Sequence, residues 1–306
     1  MTIQEKLQLI HKISGLTQEK LARKFNVSFP TLNSWINGRS EPHKQSAEKI
    51  DQIYKEYTGQ NIIPPDLLEA KKQILDNKKQ NHKNILAMIL KRPDLNDAFS
   101  LALTYNTNSI EGSTLTENET ADILFHNKAL PNKTLIEQLE AKNHQTALQY
   151  LFRYLKQKKI IDEELILKLH SILMNGIRDD AGFYRRHSVR IVGANVPTAN
   201  FLKVPELMSN FSKTLTRKWK DSITMIAADH AAFEKIHPFS DGNGRIGRLI
   251  LAAILIKNDF PPAIIKQEEK NRYYICLKKA QTSDDTSLLE DLLCDAVIES
   301  YALIDL

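Results

Sequence analysis

The chain has 306 residues, of which 42% are hydrophobic and 26% are charged, and its formal net charge is +5. This length allows two domains with their own hydrophobic cores, and the composition is typical of a globular protein. So small a net charge does not by itself establish a nucleic-acid partner, and the longest apolar run is far too short to span a membrane.

Apolar residues at helical spacing predict four short helices in residues 1–58. Gly15 should end the first helix, while Thr17 and Ser28 should cap the second and the third. Two short helices joined by a brief turn describe a helix-turn-helix unit. A small protein-binding module is the alternative, although a modest excess of basic residues favours a partner that carries phosphates.

This segment resembles the Cro/C1-type (XRE) family of DNA-binding domains. The resemblance rests on Leu16-Thr17-Gln18, Leu21-Ala22, Val27-Ser28, Trp35-Ile36-Asn37-Gly38 and Pro42. It implies that Gln18 and Asn37 contact the DNA backbone, and that the residues facing the major groove are Ser28, Phe29, Thr31 and Asn33. Phe29 and Pro30 are apolar where polar base-reading side chains are common, which argues against strong sequence-specific readout.

Residues 59–66 contain a glycine and paired prolines, which predicts a linker and leaves 67–306 for a second domain. Helices are predicted in its first part over about 66–79, 81–91 and 96–105. Because short β-like runs are few throughout the chain, we expect a mainly α protein.

Two longer amphipathic helices are predicted next, over about 135–155 and after Asp162. His170 lies on the apolar face of the second helix, where a packed and hydrogen-bonded histidine is a better expectation than a ligand. Residues 188–192 and 200–204 are β-like and are separated by a turn, so we expect a short hairpin.

A helix over about 222–235 leads into the segment His237-Pro238-Phe239-Ser240-Asp241-Gly242-Asn243-Gly244-Arg245-Ile246-Gly247-Arg248. His230, on the helix before it, has no further metal ligand at suitable spacing, so we expect it to pack. The apolar run 249–256 predicts a buried helix, which puts the Gly-Asn-Gly turn at a helix N-terminus. Free backbone N–H groups at such a terminus suit a phosphate, and glycines let the anion approach closely.

Charged side chains surround this predicted anion site. Arg245 and Arg248 are three residues apart and therefore face the same region of the first helical turn. Asp241 is a candidate Mg²⁺ ligand, because hard cations on phosphates prefer carboxylate oxygens. His237 is the natural proton acceptor near neutral pH.

The segment also resembles the signature of Fic-domain proteins, His-x-Phe-x-Asp/Glu-Gly-Asn-Gly-Arg-x-x-Arg, at every fixed position. Fic proteins mostly transfer AMP from ATP to a hydroxyl group of a target protein. The resemblance covers about residues 96–300 and implies an all-helical Fic fold with the hairpin as a flap that aligns the target. It also implies ATP as substrate, Mg²⁺ as cofactor and a Ser, Thr or Tyr hydroxyl as acceptor.

The same resemblance implies a role for each residue of the signature. His237 would be the general base, Phe239 the anchor of the loop and Asp241 the Mg²⁺ ligand. The anion hole and the outer-phosphate site would be formed by Gly242, Asn243, Gly244, Arg245 and Arg248. An adenine contact is expected from Tyr273 or Tyr274, between which the sequence does not choose.

Thr107, Glu111 and Gly112 fit a regulatory motif of the family, Ser/Thr-x-x-x-Glu-Gly/Asn. Helix physics alone would make Glu111 a solvated carboxylate at a helix end. The resemblance instead implies that Glu111 pairs with Arg248, so that the chain restrains its own activity. In some relatives the same glutamate is described as positioning water for the removal of AMP.

Other features and rival functions complete the sequence-based expectations. Cys276 and Cys294 have no metal or redox spacing, and no apolar segment near the start resembles a secretion signal, so we expect a cytoplasmic protein.

A DNA-binding regulator that uses the Fic fold as a nucleotide sensor is the main rival. Transfer of phosphate or of another nucleotide is a narrower one, which the intact Gly244 disfavours. Family members often form homodimers, but no patch in the sequence indicates one.

Overall fold

The structure is a computed structural model of the chain, and it describes residues 1–157, 160–190, 196–217 and 222–305. Across these ranges it contains fifteen α-helices and two short 3-10 helices, and no β-strand. The expectation of a mainly α protein is therefore confirmed. None of the helices in the described ranges combines the length and the apolar character that a membrane span requires.

The first four helices form a separate small core. Their bounds are α1 Ile3–Ser14, α2 Gln18–Phe25, α3 Phe29–Ile36 and α4 Lys44–Thr58. Thr17 and Ser28 cap α2 and α3 through their side-chain oxygens, as the sequence predicts, and Gly15 ends α1 in the left-handed conformation. The core contains Leu7, Ile10, Leu21, Ala22, Phe25, Leu32, Trp35, Ile36, Ile50, Ile53 and Tyr57.

Eleven further helices follow residues 60–64, which have no regular secondary structure. Their bounds are α5 Pro65–Asn81, α6 Ile85–Lys91, α7 Pro93–Glu111, α8 Glu117–His126, α9 Leu135–Lys156, α10 Glu163–Leu173, α11 Val204–Thr214, α12 Ser222–Ile236, α13 Asn243–Lys257, α14 Lys270–Ser283 and α15 Ser287–Ile304. These helices share one large apolar core, to which α13 contributes almost its whole surface. The predicted buried helix after the signature is thus the centre of this part of the molecule.

Two predictions for the second part need correction. Residues 200–204 do not form the returning strand of a hairpin, because Phe201–Lys203 is a short 3-10 helix capped by Asn200 and runs into α11. The turn expected at 193–195, with the end of the first predicted strand, lies outside the described residues. In addition, α7 does not end near residue 105 but runs to Glu111, since buried packing overrides the low helix propensity of its Asn, Thr and Ser residues.

The first four helices contact the rest of the chain mainly through α14. The Asn271 amide donates to the carbonyl oxygen of Ser14, and Arg272 Nε lies 3.3 Å from Glu56 Oε1. Ile275 packs against the small core. One face of α14 therefore holds the helix-turn-helix unit, while Tyr273 on the same helix lies in the large core.

Candidate active site

Among the described residues, no side chain caps the N-terminus of α13. Gly242 precedes the helix with φ 74°, and a Cβ atom there would lie 2.9 Å from Met174 Sδ, so both the backbone and the space require glycine. The first N–H groups of an α-helix have no intrahelical acceptor, and the helix dipole adds positive potential. This end of α13 can therefore bind an anion.

The loop before α13 is braced from inside. The Asn243 side chain accepts from Phe239 N at 2.8 Å and donates to Phe239 O at 2.9 Å. The Phe239 ring is fully buried and stacks on His170 with 3.7 Å between the ring centroids. The side-chain amide of Asn243 is thus engaged within the loop, and its backbone N–H is the group left to face an anion.

His170 has the packed role expected from its apolar face. Its Nδ1 accepts from the backbone of Gly182 at 2.8 Å, and its Nε2 lies 3.2 Å from the carbonyl oxygen of Asp241. Burial lowers the pKa of this imidazole to about 4, so it is neutral at neutral pH. His170 therefore supports the loop and is not a ligand.

His237 is oriented by the end of α12. Its backbone is in the left-handed region, with φ 53°, and its N–H donates to Phe233 O at 3.0 Å. Nδ1 lies 3.3 Å from the carbonyl oxygen of Glu234, which only accepts, so Nδ1 carries the proton. Burial lowers the pKa of the imidazole. A neutral ring with an available Nε2 lone pair is the form required of a general base.

Arg185 holds the same loop from the opposite side. It is 3% exposed, and its guanidinium donates to His237 O at 2.7 Å and to Ala199 O at 2.5 Å. Its own N–H donates to Pro238 O at 3.0 Å. The sequence gave no sign of this function of Arg185, because these acceptors are backbone oxygens that leave no pattern in a sequence.

Asp241 projects toward solvent, with 53% of its side chain exposed. Its Oδ1 accepts from Gly242 N at 2.6 Å and lies 3.8 Å from Arg245 Nη2. In the described part of the chain no three His, Cys, Asp or Glu side chains are grouped to hold a metal. Mg²⁺ in phosphate sites usually takes one or two carboxylates and fills its other positions with phosphate and water. An exposed Asp241 beside an anion site fits that arrangement.

Arg245 is locked by a residue that the sequence did not indicate. Its Nη1 donates to Glu140 Oε1, on α9, at 2.6 Å, and the arginine side chain is only 3% exposed. A cross-helix ion pair of this kind has no fixed spacing in a sequence. It fixes the direction in which Arg245 faces the end of α13.

Arg248 is held by α7. Its Nε donates to Thr107 Oγ1 at 2.7 Å and its Nη2 donates to Glu111 Oε1 at 2.5 Å. Burial opposes ionisation of the Glu111 carboxyl, but the positive charge of Arg248 outweighs this and lowers the pKa of Glu111. The structure thus brings Thr107, Glu111 and Arg248 together, as the regulatory motif predicts.

Glu111 also covers the glycine turn. A Cβ atom added to Gly244 would lie 2.3 Å from Glu111 Oε1. The carboxylate therefore sits directly against the first turn of α13, next to the arginine that the anion site needs. Gly112, at φ 109°, ends α7 immediately afterwards, and a Cβ atom there would meet none of the described residues within 4 Å.

The two candidate adenine contacts differ in access. Tyr273 is fully buried, its hydroxyl bonds to His230 Nε2 at 2.7 Å, and its ring lies 5.8 Å from the Arg248 guanidinium. Tyr274 is only partly buried. Tyr274 is therefore the ring that a base can reach, while His230 packs as expected.

The candidate DNA-contacting residues lie together on α2 and α3. Asn33 Nδ2 donates to Gln18 Oε1 at 2.9 Å, and Asn37 Nδ2 donates to Asn33 O at 2.8 Å. Ser28 and Thr31 share a hydroxyl hydrogen bond of 2.7 Å, and the Phe29 side chain is exposed. The two helices thus present one continuous surface with polar groups and a protruding apolar ring.

Fold and site together define a helical domain built around an anion-binding helix N-terminus, with a helix-turn-helix unit in front of it. Residues 160–255 match the Fic/DOC family and residues 12–58 match the helix-turn-helix family. The two segments thus match the two families that the sequence resembles.

Individual relatives agree with this assignment. A protein adenylyltransferase Fic of Drosophila ananassae is 33% identical over 184 residues, which are 59% of this chain and 37% of that protein. The chain thus spans little more than a third of that curated relative. Fic-1 (residues 134–508) from C. elegans has a TM-score of 0.67 at 20% identity, covering 98% of this chain and 87% of that one. A Fic family protein from Desulfovibrio desulfuricans G20 has a TM-score of 0.64 at 25% identity, covering 80% and 77%.

Proposed function

We propose that the protein is an adenylyltransferase that transfers AMP from ATP to a Ser, Thr or Tyr hydroxyl of a target protein. The observation that carries this proposal is the convergence at one end of α13 of an uncapped helix N-terminus, two arginines and a neutral histidine with a free Nε2. The name of the Drosophila ananassae relative supports the same activity.

Each group has a step in this reaction. His237 Nε2 accepts the proton of the target hydroxyl, whose oxygen attacks the α-phosphorus of ATP, and pyrophosphate leaves with the bond electrons. Backbone N–H groups at Asn243 and Gly244 stabilise the charge on the phosphoryl oxygens, and that of Gly242 does so once it releases Asp241 Oδ1. Arg245 and Arg248 bind the outer phosphates. Asp241 would hold Mg²⁺, which would supply further neutralisation of phosphate charge.

We propose further that Glu111 restrains this activity. Its carboxylate accepts a hydrogen bond from Nη2 of Arg248 and lies against Gly244, where a phosphate would otherwise bind. An ATP molecule that finds Arg248 occupied binds weakly or in a pose unsuited to in-line attack. Positioning of water by the same glutamate, for removal of AMP, is a second role that this location supports.

The experiment that tests the activity compares His237→Ala with His126→Ala. Both histidines are replaced in the Glu111→Gly chain, and transfer of label from α-labelled ATP to protein is measured. Loss of the base should reduce labelling by about 10²-fold or more, whereas His126 is exposed at the end of α8 and takes part in none of the site contacts described above. Full activity of the His237→Ala chain would refute the assignment of the base.

DNA binding by the first four helices is a separate proposal, supported by the family match and by the shared surface of Gln18, Asn33 and Asn37. The rival in which the Fic fold only senses nucleotide predicts a different result. A gel shift on the upstream region of the protein's own operon would change with ATP, while no label would reach protein.

A further inference from the structure

A second carboxyl lies against α13, beside Gly247, whereas Glu111 lies against Gly244 of the same helix. Glu234 is on α12, is 6% exposed, and its Oε1 has no hydrogen-bond partner among the described residues. Its main-chain carbonyl is the group that orients His237. Burying a carboxyl oxygen that has no hydrogen-bond partner costs folding free energy, which indicates that Glu234 has a function at this place.

Gly247 makes the room that this carboxyl occupies. A Cβ atom at residue 247 would lie 2.1 Å from Glu234 Oε1 and 3.1 Å from the carboxyl carbon. Any other residue there would push the Glu234 side chain away from its present position. The glycine inside the helical part of the signature therefore serves the placement of Glu234, a function that the sequence pattern did not reveal.

Arg248 carries a buried hydrogen-bond donor that, like the Glu234 oxygen, has no partner among the described residues. Its Nε and Nη2 are used by Thr107 and Glu111, but its Nη1 is buried and has no hydrogen-bond partner within the described ranges. The arginine thus has an outer side, engaged by α7, and an inner side that is unsatisfied. An unsatisfied donor and an unsatisfied acceptor are buried in the same cluster.

Titratable side chains near Glu234 come from α7, α13 and α14 and from its own helix, α12. Arg248 on α13 favours its ionised form, and Glu111 on α7 disfavours it, while burial raises the pKa of the carboxyl to about 7. His230 on α12 is neutral, because burial lowers its pKa to about 3. On α14, burial raises the pKa of both Tyr273 and Tyr274, which are neutral as well. Arg248 is therefore the cation to which Glu234 responds.

We infer that Glu234 is a positioning residue that takes the Nη1 group of Arg248 once Glu111 has left Nη2. While Glu111 is paired, the charge of the arginine is already balanced, and burial together with the Glu111 charge favours the protonated form of Glu234. Once Glu111 leaves, Glu234 is the carboxyl that remains beside the buried guanidinium, and it then ionises and pairs with it. Nη2 stays turned toward the nucleotide. The inference rests on the proposed function, since it concerns how the phosphates of ATP are received.

The test compares Glu111→Gly with Glu111→Gly/Glu234→Gln in auto-labelling at increasing concentrations of α-labelled ATP. We expect the KM for ATP to rise about tenfold while kcat changes by less than about twofold, because an interaction with the ground-state phosphates is weakened. An unchanged KM would overturn the inference. A fall in kcat at constant KM would also overturn it, since that result would make Glu234 a support of His237 alone.

The pH dependence adds a readout that a merely structural role would not change. The KM of Glu111→Gly should rise as the pH falls and Glu234 becomes protonated, and this rise should be absent when residue 234 is glutamine. If the glutamine variant does not fold, Glu111→Gly/Gly247→Ala replaces it, since the added methyl group displaces the carboxyl and should raise the KM in the same way. Absence of labelling in Glu111→Gly itself would instead count against the proposed function.

Discussion

The two arginines of the signature are both held by carboxylates, but the two carboxylates come from different kinds of position. Glu140, the partner of Arg245, lies within the 22-residue helix α9, and the pair is 2.6 Å long with 3% and 18% of the two side chains exposed. Glu111, the partner of Arg248, is the last residue of α7, and the exposed fractions are 9% and 32%. The chemistry of the two contacts is the same, while their surroundings differ.

This difference indicates which contact can be released. Glu140 lies on a helix whose buried face is part of the large core, and only 18% of its side chain is exposed, so its carboxylate has little access to water once it leaves Arg245. Glu111 is followed by Gly112 in the left-handed conformation and 32% of its side chain is exposed, so its carboxylate can turn into solvent while the buried residues before it stay in place. The Arg245 pair therefore fits a structural role, and the Arg248 pair fits the restraint proposed above.

The largest expected difference between the two ion pairs is the loss of stability when each arginine is removed. Arg245→Ala leaves the Glu140 carboxylate largely buried without its cation and should lower the free energy of unfolding by about 3 kcal/mol. Arg248→Ala leaves Glu111 able to reach water and should cost about 1 kcal/mol. Denaturant unfolding of both variants measures the difference, and equal losses would remove the distinction drawn above.

Removal of each carboxylate should have opposite effects on activity. Glu111→Gly frees Arg248 from a charge-assisted hydrogen bond of about 1.5–3 kcal/mol and should raise auto-labelling about ten- to a hundredfold. Glu140→Gln is the matched control, and it should not raise labelling, because Arg245 loses its orientation. Auto-labelling with α-labelled ATP measures both variants. Lower labelling by Glu111→Gly at low ATP would contradict the restraint.

The smallest expected effect concerns pH. Because the pKa of Glu111 is lowered, its pair with Arg248 is fully formed above the carboxyl's unfolded pKa and is lost only as the pH falls through the lower folded value. Because burial also lowers the pKa of His237, its imidazole should still be a neutral, active base at pH 6.5, its ordinary value, and be protonated only at lower pH. At ATP concentrations that saturate both chains, where a change in KM does not affect the rate, the ratio of labelling between Glu111→Gly and the intact chain should thus stay nearly constant between pH 5 and 8. A ratio that changes steeply in this range would show that the restraint itself titrates.

Much of this arrangement follows from local sequence signals. Thr17 and Ser28 as caps, the glycine turn at residues 242–244 and the apolar run after it are read within a few residues of chain, and the structure agrees with them. The parts that could not be predicted depend on contacts between distant segments. Glu140 reaches Arg245 across 105 positions of sequence, for which no periodicity exists.

Two other features could not be predicted from the sequence for the same reason. α7 continues through Thr107, Asn108 and Ser109, which are buried, although these residues individually favour caps and turns. The free carboxyl of Glu234 becomes visible only when its place against Gly247 is known. One signal was present in the sequence: Glu234 lies four residues after His230, on an otherwise apolar face of α12.

We propose that the end of α13 binds the phosphates of ATP and that Glu111 competes for the same place. Calorimetry with a non-hydrolysable ATP analogue and magnesium measures this competition, in the intact chain and in Glu111→Gly. We expect saturable binding by Glu111→Gly, about tenfold or more tighter than by the intact chain. Absence of binding by Glu111→Gly, or equal affinity of the two chains, would contradict it.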